Sequence, residues 1–260
     1  MASLSDYLEL ELLDHVMGTG AYTPPANIFV GLGTGATDAG LTGEFSGGSY
    51  VREEIPAGTG WNAAATRAIT NNGIITFTTA TGAWGTATHY GIYDQEAAGG
   101  NLLAWGALND SKAIGEGNTA TIADEEIVIT FSAGGCTTFL ANELLDHVFG
   151  NGVYAAPTLY LGLSTSSPTD AGDSETEPED GYAREAIANW DAASSGATEN
   201  TDEITFDAPS GSWGVITHQF IADDLTAGNI LFWSTATPNQ TPTTGDTVKF
   251  AAGAIDMTLD

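Results

Sequence analysis

Apolar residues recur along this chain with two different periods. Across Leu4–Val16 the apolar positions Leu8, Leu12, Leu13 and Val16 return at three- and four-residue intervals, and Phe139–Phe149 repeats the spacing. Both stretches predict amphipathic helices, each stopped by a glycine, Gly18 and Gly150. Elsewhere the period falls to two. Ile28–Leu32, Ile74–Thr79, His89–Asp94, Leu102–Leu108 and Glu126–Phe131 read as strands. So do Tyr160–Leu163, Glu203–Asp207, Thr217–Ala222, Ile230–Thr235, Thr247–Ala251 and Ala254–Leu259. Clusters of Gly, Asn, Asp, Ser and Pro bound these runs, the punctuation of antiparallel strands. The expected fold is mainly β: two tandem antiparallel β-sandwich-like domains, each preceded by a short amphipathic α-helix.

The duplication is explicit in the residues. Glu11–Val16 recurs as Glu143–Val148, and Thr37–Gly40 as Thr169–Gly172. Tyr50, Arg52 and Glu53 recur as Tyr182, Arg184 and Glu185. Further on, Trp61, Trp84-Gly85, Thr88-His89 and Trp105 recur as Trp190, Trp213-Gly214, Thr217-His218 and Trp233. The offset between copies drifts only inside Gly/Ser-rich stretches, as loop insertions would make it. The copies divide at 1–134 and 135–260.

Charge narrows the function classes. Five Lys and Arg stand against 34 Asp and Glu, a formal net charge of −29. With six Trp, ten Phe and eight Tyr the chain is no disordered acidic tail. It is expected to be a folded protein with a carboxylate-covered surface, suited to high salt where charges are screened within about 3 Å at 1 M. Nucleic acid is excluded as a partner, since no basic patch exists to displace counterions. No apolar run approaches the roughly 18 residues of a membrane span, and no basic segment followed by an apolar stretch marks a signal peptide. The single cysteine, Cys136, excludes intramolecular disulfides and reads as a small apolar residue of the linker.

No candidate chemistry rises above the background. The four histidines form repeat-equivalent pairs, His15/His147 and His89/His218. A metal site would need further converging ligands. The expected roles are a helix-end cation for the first pair and a half-buried, hydrogen-bonded strand residue for the second. Asp38–Gly40 and Asp170–Asp180 are acidic loops without the spacing of an EF-hand. Gly31–Gly35 (Gly-Leu-Gly-Thr-Gly) lacks the helix and third glycine of a dinucleotide turn, and no Gly-x-Ser-x-Gly elbow is present. Carboxylates are so abundant that no pair singles itself out for glycoside hydrolysis. The repeated tryptophans read as core, with a glycan platform as the alternative. Arg52 and Arg184 recur although cations are scarce. Each pairs with a carboxylate, within the fold or across a subunit contact, or else is solvated at a strand edge.

The motif order resembles a family of small tailed-phage virion proteins, labelled tail-fibre-like or head-decoration proteins. The order is Leu-Leu-Asp-His (Leu144–His147), Tyr-x-x-Pro (Tyr154–Pro157), Thr-Asp-Ala-Gly (Thr169–Gly172) and Tyr-x-Arg-Glu (Tyr182–Glu185). Trp-Gly-x-x-Thr-His (Trp213–His218), Gly-Asn-Ile-Leu-x-Trp (Gly228–Trp233) and Gly-Asp-Thr (Gly245–Thr247) follow. The first copy matches from Leu4 to Phe131 but departs at Gly117–Glu125, leaving the pairing of its last strands open. The resemblance implies a non-enzymatic virion structural protein on the outer surface of the particle, made in the host cytoplasm. Its first expected role is a capsid decoration subunit on the major capsid protein lattice. The alternative is a tail fibre or baseplate component with receptor or glycan binding. A glycan-active enzyme ranks last. With the acidity, the resemblance points to a haloarchaeal tailed virus. A homo-oligomer, a trimer first, is expected, with no cofactor and no metal. Leu8, Leu12, Leu145 and Val148 on the helix faces, with Arg52 and Arg184, are the candidate interface residues.

Overall fold

The computed structural model describes residues 3–97, 99–132 and 136–259. In the first copy β1 (Ser3–Leu4) and α1 (Asp6–Met17) precede β2 (Asn27–Gly33) and a small hairpin of β3 (Gly35–Thr37) and β4 (Gly40–Thr42). There follow β5 (Glu53–Pro56), β6 (Ala68–Thr70), β7 (Ile75–Thr79), β8 (Gly85–Tyr93), β9 (Leu102–Ile114), β10 (Thr119–Ile122) and β11 (Val128–Thr130). The second copy opens on α2 (Thr138–Phe149). It continues through β12 (Leu159–Ser164), β13 (Glu185–Ile187), β14 (Ala197–Glu199), β15 (Ile204–Thr205) and β16 (Ile216–Ala222). It ends with β17 (Ile230–Gln240), β18 (Lys249–Phe250) and β19 (Asp256–Thr258).

Each copy is a main antiparallel sheet with two flanking two-stranded ribbons. The main sheets run β1-β9-β8-β2-β5 and β17-β16-β12-β13, the same order read through the repeat. The ribbons are β7–β10 and β6–β11 in one copy and β15–β18 and β14–β19 in the other. The last strands of the first copy therefore pair as those of the second do, although Glu125 stands where the second copy has Gly253. Both residues take left-handed backbone, φ 57° and 72°. Each presents its N–H to the carbonyl of a buried asparagine, Asn71 or Asn200. Those asparagines fasten the two ribbons. Asn71 donates to Gly73 and Ala123 carbonyls and accepts from the Ile127 N–H. Asn200 repeats the set with Asp202, Ala251 and Ile255. A buried amide satisfied on both sides fixes one register.

The main strands lie where Val, Ile and aromatic alternation placed them. β9 runs to Ile114 rather than Leu108, because a bulge sets the single residue Thr88 of β8 against the four residues Leu108–Ser111 of β9 and pairing then resumes at Ala87 and Lys112. The second copy reproduces it between Ile216–His218 and Thr235–Gln240. Strands β3 to β6, β10, β13 and β14 escape the periodicity because stretches of three or four residues hold too few alternations.

Both helices are capped as their sequences dictate. Ser5 and Thr137 accept from the Leu8 and Leu140 N–H, at 3.2 and 3.4 Å, and Gly18 and Gly150 end the helices at φ 75° and 84°. The same cap hydroxyls donate to the Leu102 and Ile230 carbonyls, which anchors each helix to its own main sheet. The opposite side of each helix belongs to the other copy. The Ala193 N–H donates to Asp14 Oδ1 (2.6 Å), and the Ala64 N–H donates to Asp146 Oδ1 (2.7 Å). Phe149 packs on Trp61 with ring centroids 4.3 Å apart. At Gly150 the copies approach so closely that a Cβ would meet Ala57 Cβ and Gly58 N at 2.8 Å. The aspartate contacts are reciprocal, so a pseudo-two-fold axis passes between the helices, as in an isologous dimer fused into one chain. The close approach at Gly150 is one-sided, since a Cβ at Gly18 would meet nothing within 4 Å. One continuous apolar cluster includes Leu8, Leu12, Leu13 and Val16 together with Leu140, Leu144, Leu145 and Val148. Burying each such side chain contributes about 1.5–3 kcal/mol.

Candidate binding surfaces

At the pseudo-axis the His15 and His147 rings stack, centroids 4.9 Å apart and 11° from parallel. The Tyr22 and Tyr154 N–H groups donate to their Nδ1 atoms, both at 3.2 Å. The His15 proton thus sits on Nε2, which donates to the Tyr154 carbonyl at 2.8 Å. Burial, and then His15, hold His147 below the ordinary imidazole range, with the Tyr22 backbone acting the other way. The expected helix-end cation is therefore corrected. These imidazoles are buried wedges of the joint, placed there because Asp14 and Asp146 turn to the opposite copy. His89 and His218 are half-buried strand residues, held by the Thr88 and Thr217 hydroxyls at 2.8 and 2.9 Å.

Arg52 and Arg184 are buried, not solvated. Arg52 grips Glu44 through Nε–Oε1 (2.7 Å) and Nη2–Oε2 (2.9 Å), gives Nη1 to the Gln95 and Ala97 carbonyls, and lies 3.3 Å above the Tyr93 ring. Arg184 does the same with Glu177, the Asp224 and Ala227 carbonyls and the Phe220 ring. Glu44 and Glu177 come from the loops where the copies diverge most, so the alignment does not pair them. All six residues singled out for subunit contacts thus lie inside the chain: Leu8, Leu12, Leu145 and Val148 in the shared core, Arg52 and Arg184 in these clamps.

Sequence reading passed over Arg67. Its side chain donates to the Cys136 carbonyl (2.7 Å), the Ser132 carbonyl and Asp170 Oδ1 (3.0 Å), fastening the passage between the copies. It does so from left-handed backbone, φ 66°, where the second copy has Gly196 at 81°. Cys136 is buried beside it, its thiol pushed up to about 11 by burial against the pull of Arg67. The acidic loops serve the fold as well. Asp38 accepts from Trp105 Nε1 (2.9 Å), and Asp170 takes Thr138 along with Arg67. Among the described residues no three His, Cys, Asp or Glu side chains converge as metal ligands would, and no helix is long and apolar enough to cross a membrane. Trp61, Trp84, Trp190 and Trp213 are core residues, while Trp105 and Trp233 are half-buried beside His89 and His218.

The second copy carries a groove of about 580 Å³ at the far end of its main sheet, between the outer arm of β17 and β18. Gln219, Gln240, Thr235, Thr237 and Thr247 supply its polar wall, and Ile216, Val248 and Phe250 its apolar one.

Two antiparallel modules fused about a pseudo-axis, with paired arginine clamps and a repeated motif order, define a duplicated structural module. Residues 3–130 and again 135–258 match the family model of the podophage GP4 fiber I protein gp80. The chain belongs to that family, as two of its modules in tandem, and is a virion structural protein of tailed-phage type. No curated protein matches it.

Proposed function

We propose that the chain is a fibre component of a tailed-phage particle that works by contact with other virion proteins and not by chemistry on a substrate. The observation that carries this reading is the double match to a fibre family, one per copy. The joint supports it, since reciprocal helix packing makes the two modules one body able to hold a fixed geometry between neighbours. The surface supports it too. Arg52, Arg67, Lys112, Arg184 and Lys249 each pair with a carboxylate, so the remaining charge is acidic, suited to protein contacts in salt.

The family moves the weight from capsid lattice to fibre, reversing the order in which the motifs alone rank these roles. Gold-labelled antibodies against the chain, applied to intact particles and imaged by electron microscopy, test it. Label on the fibres is expected; label spread over the head would overturn the reading in favour of decoration. Light scattering of the purified chain reads its assembly, with three chains per particle expected for a trimeric fibre subunit.

A further inference from the structure

We propose that a hollow on the first copy receives a lysine or arginine side chain from a partner protein of the particle. The hollow, about 540 Å³, lies between the first turn of α1, the loop entering β2 and the loop leaving β8. Tyr7, Tyr22, Pro25 and Phe29 supply its apolar walls, and Asp94 and Glu96 its charge. Tyr22 is the telling residue. It is 6% exposed, and its hydroxyl is buried without a hydrogen-bond partner among the described residues. Buried polar atoms are nearly always paired, and one left alone costs stability. The residue itself is firmly held. Its N–H is tied to His15 Nδ1 at 3.2 Å, and its ring stands edge-on to His147, centroids 6.1 Å apart. Burial, and then Tyr7, Asp94 and Glu11, raise the hydroxyl above the ordinary phenol range. The hydroxyl is thus turned toward Tyr7 and Asp94, which line the hollow with it. It stays neutral, with lone pairs to accept from a cationic N–H.

The surroundings select a cation. The five Lys and Arg of the chain pair with Glu44, Asp170, Glu126, Glu177 and Glu203, which leaves Asp94 and Glu96 without a counter-ion among the described residues. Asp94 accepts from the Asn101 N–H and side-chain amide at 2.7 and 2.8 Å, neutral donors that fix the carboxylate and leave its charge. Glu96 is exposed, and its field, after burial and Glu54, raises the Glu53 carboxyl. Arg52 holds the loop that carries both acids through the Gln95 and Ala97 carbonyls, which orders the site before anything binds. An alkyl stem ending in a charge fits apolar walls that end in carboxylates, and aromatic rings add to the attraction for a cation. The rim residues Thr23, Ala26 and Gln95 are exposed, so the backbone bearing that side chain can pass outside. A second copy of this chain has no unpaired Lys or Arg to offer, so the cation comes from another protein.

The inference rests on the proposed function only for placing that protein in the particle. Binding is read on the purified full chain, so its failure and a failure of the fibre label are told apart. Amide-detected NMR of the chain, titrated with acetyl-Gly-Arg-Gly-amide and acetyl-Gly-Lys-Gly-amide, should show saturating shifts centred on Tyr7, Tyr22 and Glu96 for at least one of them. The citrulline and norleucine analogues should give none. Asp94→Asn/Glu96→Gln should weaken binding by at least about tenfold; should Asp94→Asn unsettle the loop, Glu96→Gln alone should still weaken it. Tyr22→Phe should weaken it several-fold without lowering the melting temperature, since the lost hydroxyl bonds to nothing. Two controls should leave the affinity unchanged. Tyr154→Phe removes the equivalent unpartnered hydroxyl of the second copy, where Phe139 replaces Tyr7, and Glu179→Gln/Asp256→Asn removes two exposed carboxylates of that copy. Shifts spread over the whole acidic surface, equal binding of the citrulline peptide, or weakening by either control would overturn the proposal. Binding undiminished in both Tyr22→Phe and Glu96→Gln would overturn it too. So would putrescine binding more tightly than either peptide, which would make a free amine the occupant, or self-association that Glu96→Gln abolishes, which would make it a second copy.

Discussion

At the helical joint, Leu12, Asp14 and His15 stand opposite Leu144, Asp146 and His147, residue for residue the same. At the far ends of the main sheets, Tyr90, Leu108, Lys112 and Glu126 have become Gln219, Ala236, Gln240 and Ala254. The joint is an isologous contact, so a change on one side must suit both its own copy's sheet and the facing copy's ribbon. The far ends touch only their own copy and are free to separate. Duplication here keeps the Leu, Asp and His that meet at the axis, while further out Arg67 and Phe149 have Gly196 and Met17 as their counterparts.

Changes at the joint should therefore cost the same whichever copy carries them. Leu12→Ala and Leu144→Ala, both at fully buried positions, should each lose about 2–5 kcal/mol in denaturant unfolding. A large difference between them would break the symmetry. Asp14→Ala and Asp146→Ala strand the Ala193 and Ala64 N–H groups, and each should cost about 1–3 kcal/mol. Arg67→Gly, which imports the second copy's residue, removes the clasp on Ser132 and Cys136 but relieves the left-handed backbone. A smaller net loss of about 1–2 kcal/mol is expected from thermal unfolding.

The histidine stack sharpens the comparison through pH. The unfolded chain takes up a proton at His147 below about pH 6.5, while the native joint resists it. The contribution of His147 is thus complete above that value and is lost as pH falls toward the depressed native value. Glu53 and Glu185, raised chiefly by burial, act in the opposite sense, since native carboxyls that take up protons early gain stability on acidification. Stability measured from pH 7 to 5 should fall less steeply in His147→Gln than in the parent; an unchanged slope would remove His147 from the account. The smallest difference between copies is expected from salt. Raising KCl from about 0.1 to 1 M shortens the screening length from about 10 to 3 Å. The melting temperatures of Leu12→Ala and Leu144→Ala should then rise together, because surface repulsion is spread over both copies.

Much of this was legible in the residues. The helices, their glycine stops, the principal strands and the duplication follow from period and repetition. The ribbon-fastening Asn71 and Asn200 carried a usable signal, since they recur at the offset of the neighbouring motifs. What periodicity does not encode is which copy a helix face meets. The apolar stripe through Leu8 and Leu12 reads the same whether it covers its own sheet, the other copy or another subunit. Glu44 and Glu177 were hidden because the loops delivering them differ in sequence while converging on the same clamp. Arg67 was hidden because its counterpart is a glycine and its partners are backbone carbonyls of the passage between copies. The ion pair of Lys112 and Glu126 becomes visible only once the bulge brings those strands together.

The central structural claim is that the two copies fold as one body about the helical joint. Calorimetric unfolding of the full chain, with Leu12→Ala and Leu144→Ala beside it, tests this most directly. One cooperative transition is predicted, its calorimetric and van't Hoff enthalpies equal, moved by both variants to the same extent. Two separable transitions, with Leu12→Ala moving one and Leu144→Ala the other, would contradict it and make the copies independent domains on a shared string.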